Sequence, residues 1–184
     1  KAMESLIRQL EEAGIADDTV IVISPDHYPY GLERSATWGN AVNYLNELYG
    51  VTKTDRFVRD SNALIIWSGC LEDKNLKVET PVYSLDILPT LSNLFGLDYD
   101  SRLLVGRDVF SDTEPLVLWP EFSWKTDKGT YDAESGTFTP AKGAEVEDGY
   151  VDRIKAIVSN KISYSREVQN MKYFQVLSDY LNGK

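Results

Sequence analysis

Met3, Leu6, Ile7 and Leu10 recur at helical spacing and Gly14 stands where a C-terminal cap belongs, so the pattern predicts an amphipathic helix over residues 2–13. "TVIVIS" at 19–24 is then a short, nearly all-apolar run that reads as a strand. A helix followed closely by a strand buried on both faces is the rhythm of an α/β protein with a parallel sheet. In "SATWGNAVNYLNELYG" (35–50), Trp38, Val42, Leu45 and Tyr49 share a face and predict a second helix, weakened by Gly39. "ALIIW" (63–67) reads as a second buried strand.

The strongest local pattern is "SLDILPTLSNLFGL" (84–97), where Ile87, Leu88, Leu91, Leu94 and Phe95 form one stripe that ends at Gly96. Asp86 suits the N-cap, and Pro89 then falls in the first turn, where its missing N–H is no loss. Past this helix the texture changes. Strands at "PLVLW" (115–119), near "GTYDA" (129–133) and near "GTFTP" (136–140) are separated by short Gly, Asp and Ser turns, which predicts antiparallel pairing. Residues 149–181 read as helical, with a break around Ser163 to Ser165 and Ser165 as the cap of the last helix.

Composition narrows the function classes. The 184 residues are 42% hydrophobic and 26% charged, the make-up of an ordinary globular protein with a real core. A formal net charge of −10 argues against nucleic acid or an anionic membrane surface as the main partner, since both need clustered Lys and Arg. An anionic substrate would need a local positive centre such as a metal ion. No run approaches the roughly 18 apolar residues that a membrane span requires, so the chain itself reads as soluble. Cys70 is the single cysteine and has no partner for an internal disulfide; in "SGCLED" it reads as a small buried or half-buried residue.

Chemistry gathers after the first strand. Ligands of parallel α/β sheets collect outside the carboxyl ends of the strands, and there "VIVISPDHYPYGL" (20–32) places Asp26 beside His27, the one histidine of the chain. A carboxylate oxygen and an imidazole nitrogen are good ligands for Zn²⁺ or Mn²⁺. Taken by itself, the dipeptide is more often a turn whose acid caps a backbone N–H. A Ser-His-acid triad would need another acid, because Asp26 is adjacent in sequence to the ring it would have to orient. Glycine-rich phosphate loops, HExxH and CxxC patterns do not occur.

The same residues carry a family resemblance. "VIVISPDHYPYGL" resembles the metal-binding strand end of the alkaline phosphatase and sulfatase superfamily, in particular its lipoteichoic acid synthase-like branch. In the same order, "ALIIWSG" is similar to the following sheet strand, "VYSLDILPTLSNLFGL" to the DILPTL helix and "DSRLLVGRDVFSD" to the GxDLLS turn behind it; "PLVLWPEFSWKTDKGTYDAESGTF" is similar to the antiparallel C-terminal subdomain. The match covers most of residues 1–140, with Pro25 standing where the family commonly has glycine. The resemblance implies a partial alkaline phosphatase-like parallel sheet flanked by helices over 1–110, the C-terminal half of a sulfatase-like catalytic domain. Antiparallel strands and terminal helices over 111–184 would pack on it.

The resemblance also implies chemistry. Asp26 and His27 would be two ligands of a divalent metal (Mn, Zn or Mg), incompletely coordinated by this chain. The metal would polarise a phosphate or sulfate ester and activate a hydroxyl nucleophile for transfer or hydrolysis. That nucleophile and further acidic ligands are expected upstream of this chain, so no catalytic residue is assigned within it. Cys70 does not fit the sulfatase cysteine, because Leu71, Glu72 and Asp73 follow it. Taken alone, the chain is expected to be inactive. The parent would be a phosphoglycerol transferase or ester hydrolase held at the extracellular face of a bacterial membrane, with phosphatidylglycerol as a synthase-type substrate. Its partner would be the missing N-terminal half of the catalytic domain, and loss of the upstream strands predicts self-association. A different class of function, a non-catalytic surface module binding glycans or proteins, rests on the 11 tyrosines and 4 tryptophans.

Overall fold

The computed structural model describes residues 1–30, 32, 44–51, 55–71 and 76–183. It forms two compact units, residues 1–76 and 77–184. Each combines short helices with a small antiparallel sheet, so the fold is mixed α/β.

The first unit opens with α1 (Ala2–Glu12). Gly14, at φ 68°, ends it: the Ile15 N–H donates to the Leu10 carbonyl and the Gly14 N–H to that of Glu11, both at 3.0 Å. This left-handed closure favours a residue without Cβ, which is why glycine marks the helix end in the sequence. β1 (Ile21–Ile23) pairs with β2 (Ile65–Trp67) in the register Ile21↔Trp67, Val22↔Ile66, Ile23↔Ile65. The pairing is antiparallel, which corrects the expected parallel arrangement for these two strands. An apolar run reports how much of a strand is covered but not which way its neighbour points. Nor are both faces covered, since Ile23 and Ile65 are 38% and 51% exposed.

Of the helix expected over 35–50, the described residues carry α2 (Tyr44–Tyr49), which buries Leu45; Trp38 and Val42 lie outside the described residues. α3 (Arg56–Arg59) is a single turn capped by Asp55, whose carboxylate accepts the Val58 N–H at 2.9 Å. The Tyr49 hydroxyl donates to the Arg59 carbonyl at 3.0 Å and ties the two helices together.

In the second unit, a 3-10 turn (Ser84–Asp86) leads into α4 (Ile87–Leu94). α4 ends as the sequence predicts, with Gly96 at φ 61° and the Leu97 N–H on the Ser92 carbonyl at 2.8 Å. Its facing does not follow the apolar stripe. Pro89, Thr90 and Ser92 are buried, whereas Leu88, Leu94 and Phe95 are exposed. Hydrogen bonds draw Thr90 inward: its Oγ1 accepts the Val109 N–H at 3.1 Å and its hydroxyl donates to the Asp86 carbonyl at 2.6 Å.

Beyond it, β3 (Val117–Leu118), β4 (Trp124–Thr126), β5 (Gly129–Asp132) and β6 (Thr137–Pro140) form an antiparallel meander in chain order. The antiparallel expectation holds here, with β4 as an additional strand. α5 (Tyr150–Asn170) lays Tyr150, Ile154 and Val158 against Trp124 and Tyr131 to make the core. Ring centroids of Trp124 lie 5.5 Å from Tyr131 and 6.2 Å from Tyr150. α5 runs unbroken through 163–165, because serine is a weak helix former rather than a breaker. The break falls instead at Lys172, at φ 49°, before α6 (Tyr173–Leu181). Among the described residues no helix is long and apolar enough to cross a membrane.

Candidate functional site

β1 stops at Ile23, and the chain then runs through Ser24, Pro25, Asp26, His27, Tyr28, Pro29 and Tyr30 without regular structure. Two prolines without N–H groups fix their own φ and bias the residue before each towards extended backbone, which explains why the strand cannot continue. Asp26 and His27 do come together: Asp26 Oδ2 lies 3.5 Å from His27 Nε2. Their side chains are 88% and 43% exposed. His27 Nδ1 is 2.6 Å from the Tyr28 carbonyl. A carbonyl only accepts, so Nδ1 carries the proton of that bond and, in the neutral ring, Nε2 is left as the lone-pair nitrogen on the side of the Asp26 carboxylate.

Around this pair the aromatic residues are layered. The Tyr30 ring stacks on the imidazole with centroids 4.0 Å apart and planes 8° from parallel. Tyr28 meets Tyr30 edge-on at 4.8 Å, and the Arg59 guanidinium lies 4.5 Å from the centre of the Tyr28 ring. As a donor set for a divalent cation the pair fits in kind, one carboxylate oxygen and one imidazole nitrogen, but supplies two donors where three or four protein ligands are usual. No group of three or more His, Cys, Asp or Glu side chains able to hold a metal occurs among the described residues. Cys70 is exposed, with its Sγ 3.3 Å from Ser68 Oγ, where a buried or half-buried residue was expected. It lies on a 3-10 turn (Gly69–Leu71) just beyond β2.

The second unit holds a buried polar cluster that sequence reasoning missed. Asp86, 1% exposed, stands at the N-cap position of α4 as expected, but its carboxylate makes no cap bond to that helix; it accepts the Tyr83 N–H at 3.1 Å and the Arg107 N–H at 2.8 Å. Burial pushes the Asp86 carboxyl above its usual value, against the opposing pull of those two bonds and of the Arg107 and Lys161 charges. Burial likewise lowers the Lys161 ammonium, whose Nζ donates to the Val105 carbonyl at 2.7 Å. Gly106 makes this possible. A Cβ there would lie 2.0 Å from the Leu85 carbonyl oxygen and 2.8 Å from the Asp86 nitrogen, so only glycine lets the two backbones approach. The "VGRD" stretch carries the one sequence signal of this contact, a glycine beside charged residues far from any predicted helix end.

A cavity of about 710 Å³ opens beside this cluster, lined by Lys77, Thr80, Arg107, Glu114, Lys128 and Arg153 among others. Its cations are engaged: Lys77 with Glu79 at 2.6 Å, Lys128 with Glu147 at 2.8 Å and Arg153 with Glu114 at 3.0 Å. Arg107 donates to Thr80 Oγ1 and to the Asp108 carbonyl, both at 3.3 Å. Trp124, Tyr131 and Tyr150 belong to the core, whereas Phe95, Tyr164, Phe174 and Tyr180 of the same unit are exposed.

Comparison with known proteins agrees with the motif resemblance. No protein-family model matches the chain. Against curated proteins, it is 28% identical over 120 residues to the lipoteichoic acid synthase of Staphylococcus saprophyticus, covering 63% of this chain and 18% of that protein. It is 29% identical over 124 residues to the lipoteichoic acid synthase of Staphylococcus aureus, covering 64% of this chain and 17% of that protein. The chain thus spans less than a fifth of the length of these relatives.

Proposed function

We propose that the chain is the C-terminal part of a lipoteichoic acid synthase-like enzyme and supplies two ligands, Asp26 and His27, to its metal centre. The observation that carries this reading is the side-by-side placement of the Asp26 carboxylate and His27 Nε2, 3.5 Å apart, just beyond the end of β1. The similarity to synthases, which are enzymes by name, agrees with it. In the parent protein the activity would be phosphoglycerol transfer, or hydrolysis of a phosphate or sulfate ester, at the outer face of a bacterial membrane, with phosphatidylglycerol as the synthase-type donor. A divalent cation held by the pair would polarise the ester oxygens. The chain's own part is to present one oxygen and one nitrogen at a strand end, with the imidazole tautomer set by the Tyr28 carbonyl.

The exposed apolar residues on and beside α4 support a larger parent, since Leu85, Leu88, Leu94 and Phe95 stand uncovered. We further propose that upstream strands complete a larger sheet beside β1 and β2. With two ligands only, the chain alone should bind metal weakly and turn over no ester.

Two measurements test the reading. Mn²⁺ added to the chain should broaden the proton resonances of His27 and Tyr30 first, and His27→Ala should abolish the effect at Tyr30; equal broadening there in both proteins would remove the pair from the metal site. In a chimera in which this chain replaces the matching part of the S. aureus synthase, phosphoglycerol transfer should survive and His27→Ala should eliminate it. A chimera that stays active without the imidazole would overturn the proposal.

A further inference from the structure

We propose that Tyr30 is the positioning residue of the Asp26–His27 pair, its ring holding the imidazole so that Nε2 faces the Asp26 carboxylate and a divalent cation beside it. The inference rests on the reading of that pair as metal ligands and concerns how an exposed imidazole is kept in one orientation. A histidine on an irregular, solvent-facing segment has two free side-chain torsions and two neutral tautomers. The hydrogen bond from Nδ1 to the Tyr28 carbonyl, at 2.6 Å, selects one tautomer only while it lasts, and a single bond at the edge of an exposed ring breaks once the ring is free to swing away. The Tyr30 ring removes that freedom, lying face to face with the imidazole at 4.0 Å and 8° from parallel.

Tyr30 is itself held. Tyr28 meets it edge-on at 4.8 Å, and the Arg59 guanidinium covers the Tyr28 ring at 4.5 Å. Pro29 between the two tyrosines narrows the backbone angles that separate them. The series Arg59, Tyr28, Tyr30, His27 thus runs from a helix of the first unit, α3, to the imidazole and transfers the rigidity of that helix to a ligand on a loop. Fixing the tautomer and ring plane of a ligating histidine is what outer groups around metal ligands generally do. Tyr30 adds nothing to coordination itself: with 63% of its surface exposed, it acts through the face it gives to His27.

The chain holds one histidine, so its ring nitrogens can be read without overlap. Long-range proton–nitrogen spectra of the chain with the imidazole in its neutral form report the tautomer directly. The wild type should show the Nδ1–H form, Tyr30→Ala a mixture in which the two nitrogen shifts draw together, and Tyr30→Phe, which keeps the stacking face, the wild-type spectrum. Mn²⁺ affinity from line broadening should fall about tenfold in Tyr30→Ala and stay unchanged in Tyr30→Phe, in the range found for groups that orient metal ligands. An unchanged tautomer in Tyr30→Ala overturns the proposal, and so does a mixed tautomer with full Mn²⁺ affinity. Failure of the metal reading shows separately, as equal Mn²⁺ binding by wild type and His27→Ala; the positioning of the ring then stands or falls by the spectra alone.

Discussion

At Gly106 the chain passes so close to Leu85 and Asp86 that one methyl group would displace backbone on one side or the other. Gly106→Ala should therefore destabilise the second unit by about 3 kcal/mol, the upper end of the cost of overpacking. Urea unfolding followed by the fluorescence of the buried Trp124 measures it, and an unchanged midpoint would mean that the turn gives way freely. Asp86, which this approach buries, has its carboxyl raised above the ordinary value of 3.8. The folded state keeps that proton over an interval in which the unfolded chain has lost it, so the group's stabilising contribution is full below 3.8 and declines as pH rises towards the folded value. Asp86→Asn removes the decline but also forces an amide to meet two backbone donors, at a cost of about 1–3 kcal/mol. Its deficit against the wild type should consequently shrink as pH rises across the interval, as read by urea midpoints at several pH values; a deficit that grows with pH would reverse the assignment. None of this could be read from "SLDILPT" by itself, because the donor that fixes Asp86 lies on Arg107 and local pattern offers a cap instead.

Among the elements, the join between the meander and α5 is electrostatic at its rim and aromatic at its centre. Glu147 takes hydrogen bonds from Lys128 at 2.8 Å and from Arg153 at 3.3 Å, and Lys128, the larger influence, holds its carboxyl down at about 2. A carboxyl lowered in the folded state stabilises above its ordinary value of 4.5 and stops doing so as pH falls through the folded value. Glu147→Gln should accordingly flatten the loss of stability between pH 4.5 and about 2, seen as a smaller difference between unfolding midpoints measured at those two ends. Both helix ends marked by glycine, at Gly14 and Gly96, were legible because a positive φ is a local demand that one residue type meets. The meander was legible through its turn residues. The direction of β1 against β2, the inward face of α4 and the continuity of α5 were not, because each is decided by partners distant in sequence. For α4 the deciding partners are polar: two buried hydrogen-bonding residues, Asp86 and Thr90, outweigh a longer apolar stripe. At the candidate site Asp26 and His27 stood out by type and position, while the stacking of Tyr30 on the imidazole depends on the path of an irregular loop that no local pattern encodes.

Over the whole molecule, large apolar side chains remain uncovered on both α4 and α6, among them Leu88, Phe95, Phe174, Val176 and Leu181. Exposed apolar surface on this scale marks places where other protein surface belongs. The isolated chain should therefore associate with itself: light scattering should give a mass above 20.8 kDa that rises with concentration. Leu88→Lys with Phe174→Lys should lower that mass, and a constant monomer mass in the wild type would show that these faces stay free. The chain thus separates what must be kept from what can be changed. Under random mutagenesis with selection for a folded second unit, codon 106 becomes a fixed point tolerating synonymous change alone, since any single-base step away from glycine adds a Cβ where none fits. The codons of the solvent-facing leucines would drift freely towards polar residues. A deep library of this chain would thus carry an imprint of its interior contacts, sharpest at a residue that has no side chain at all.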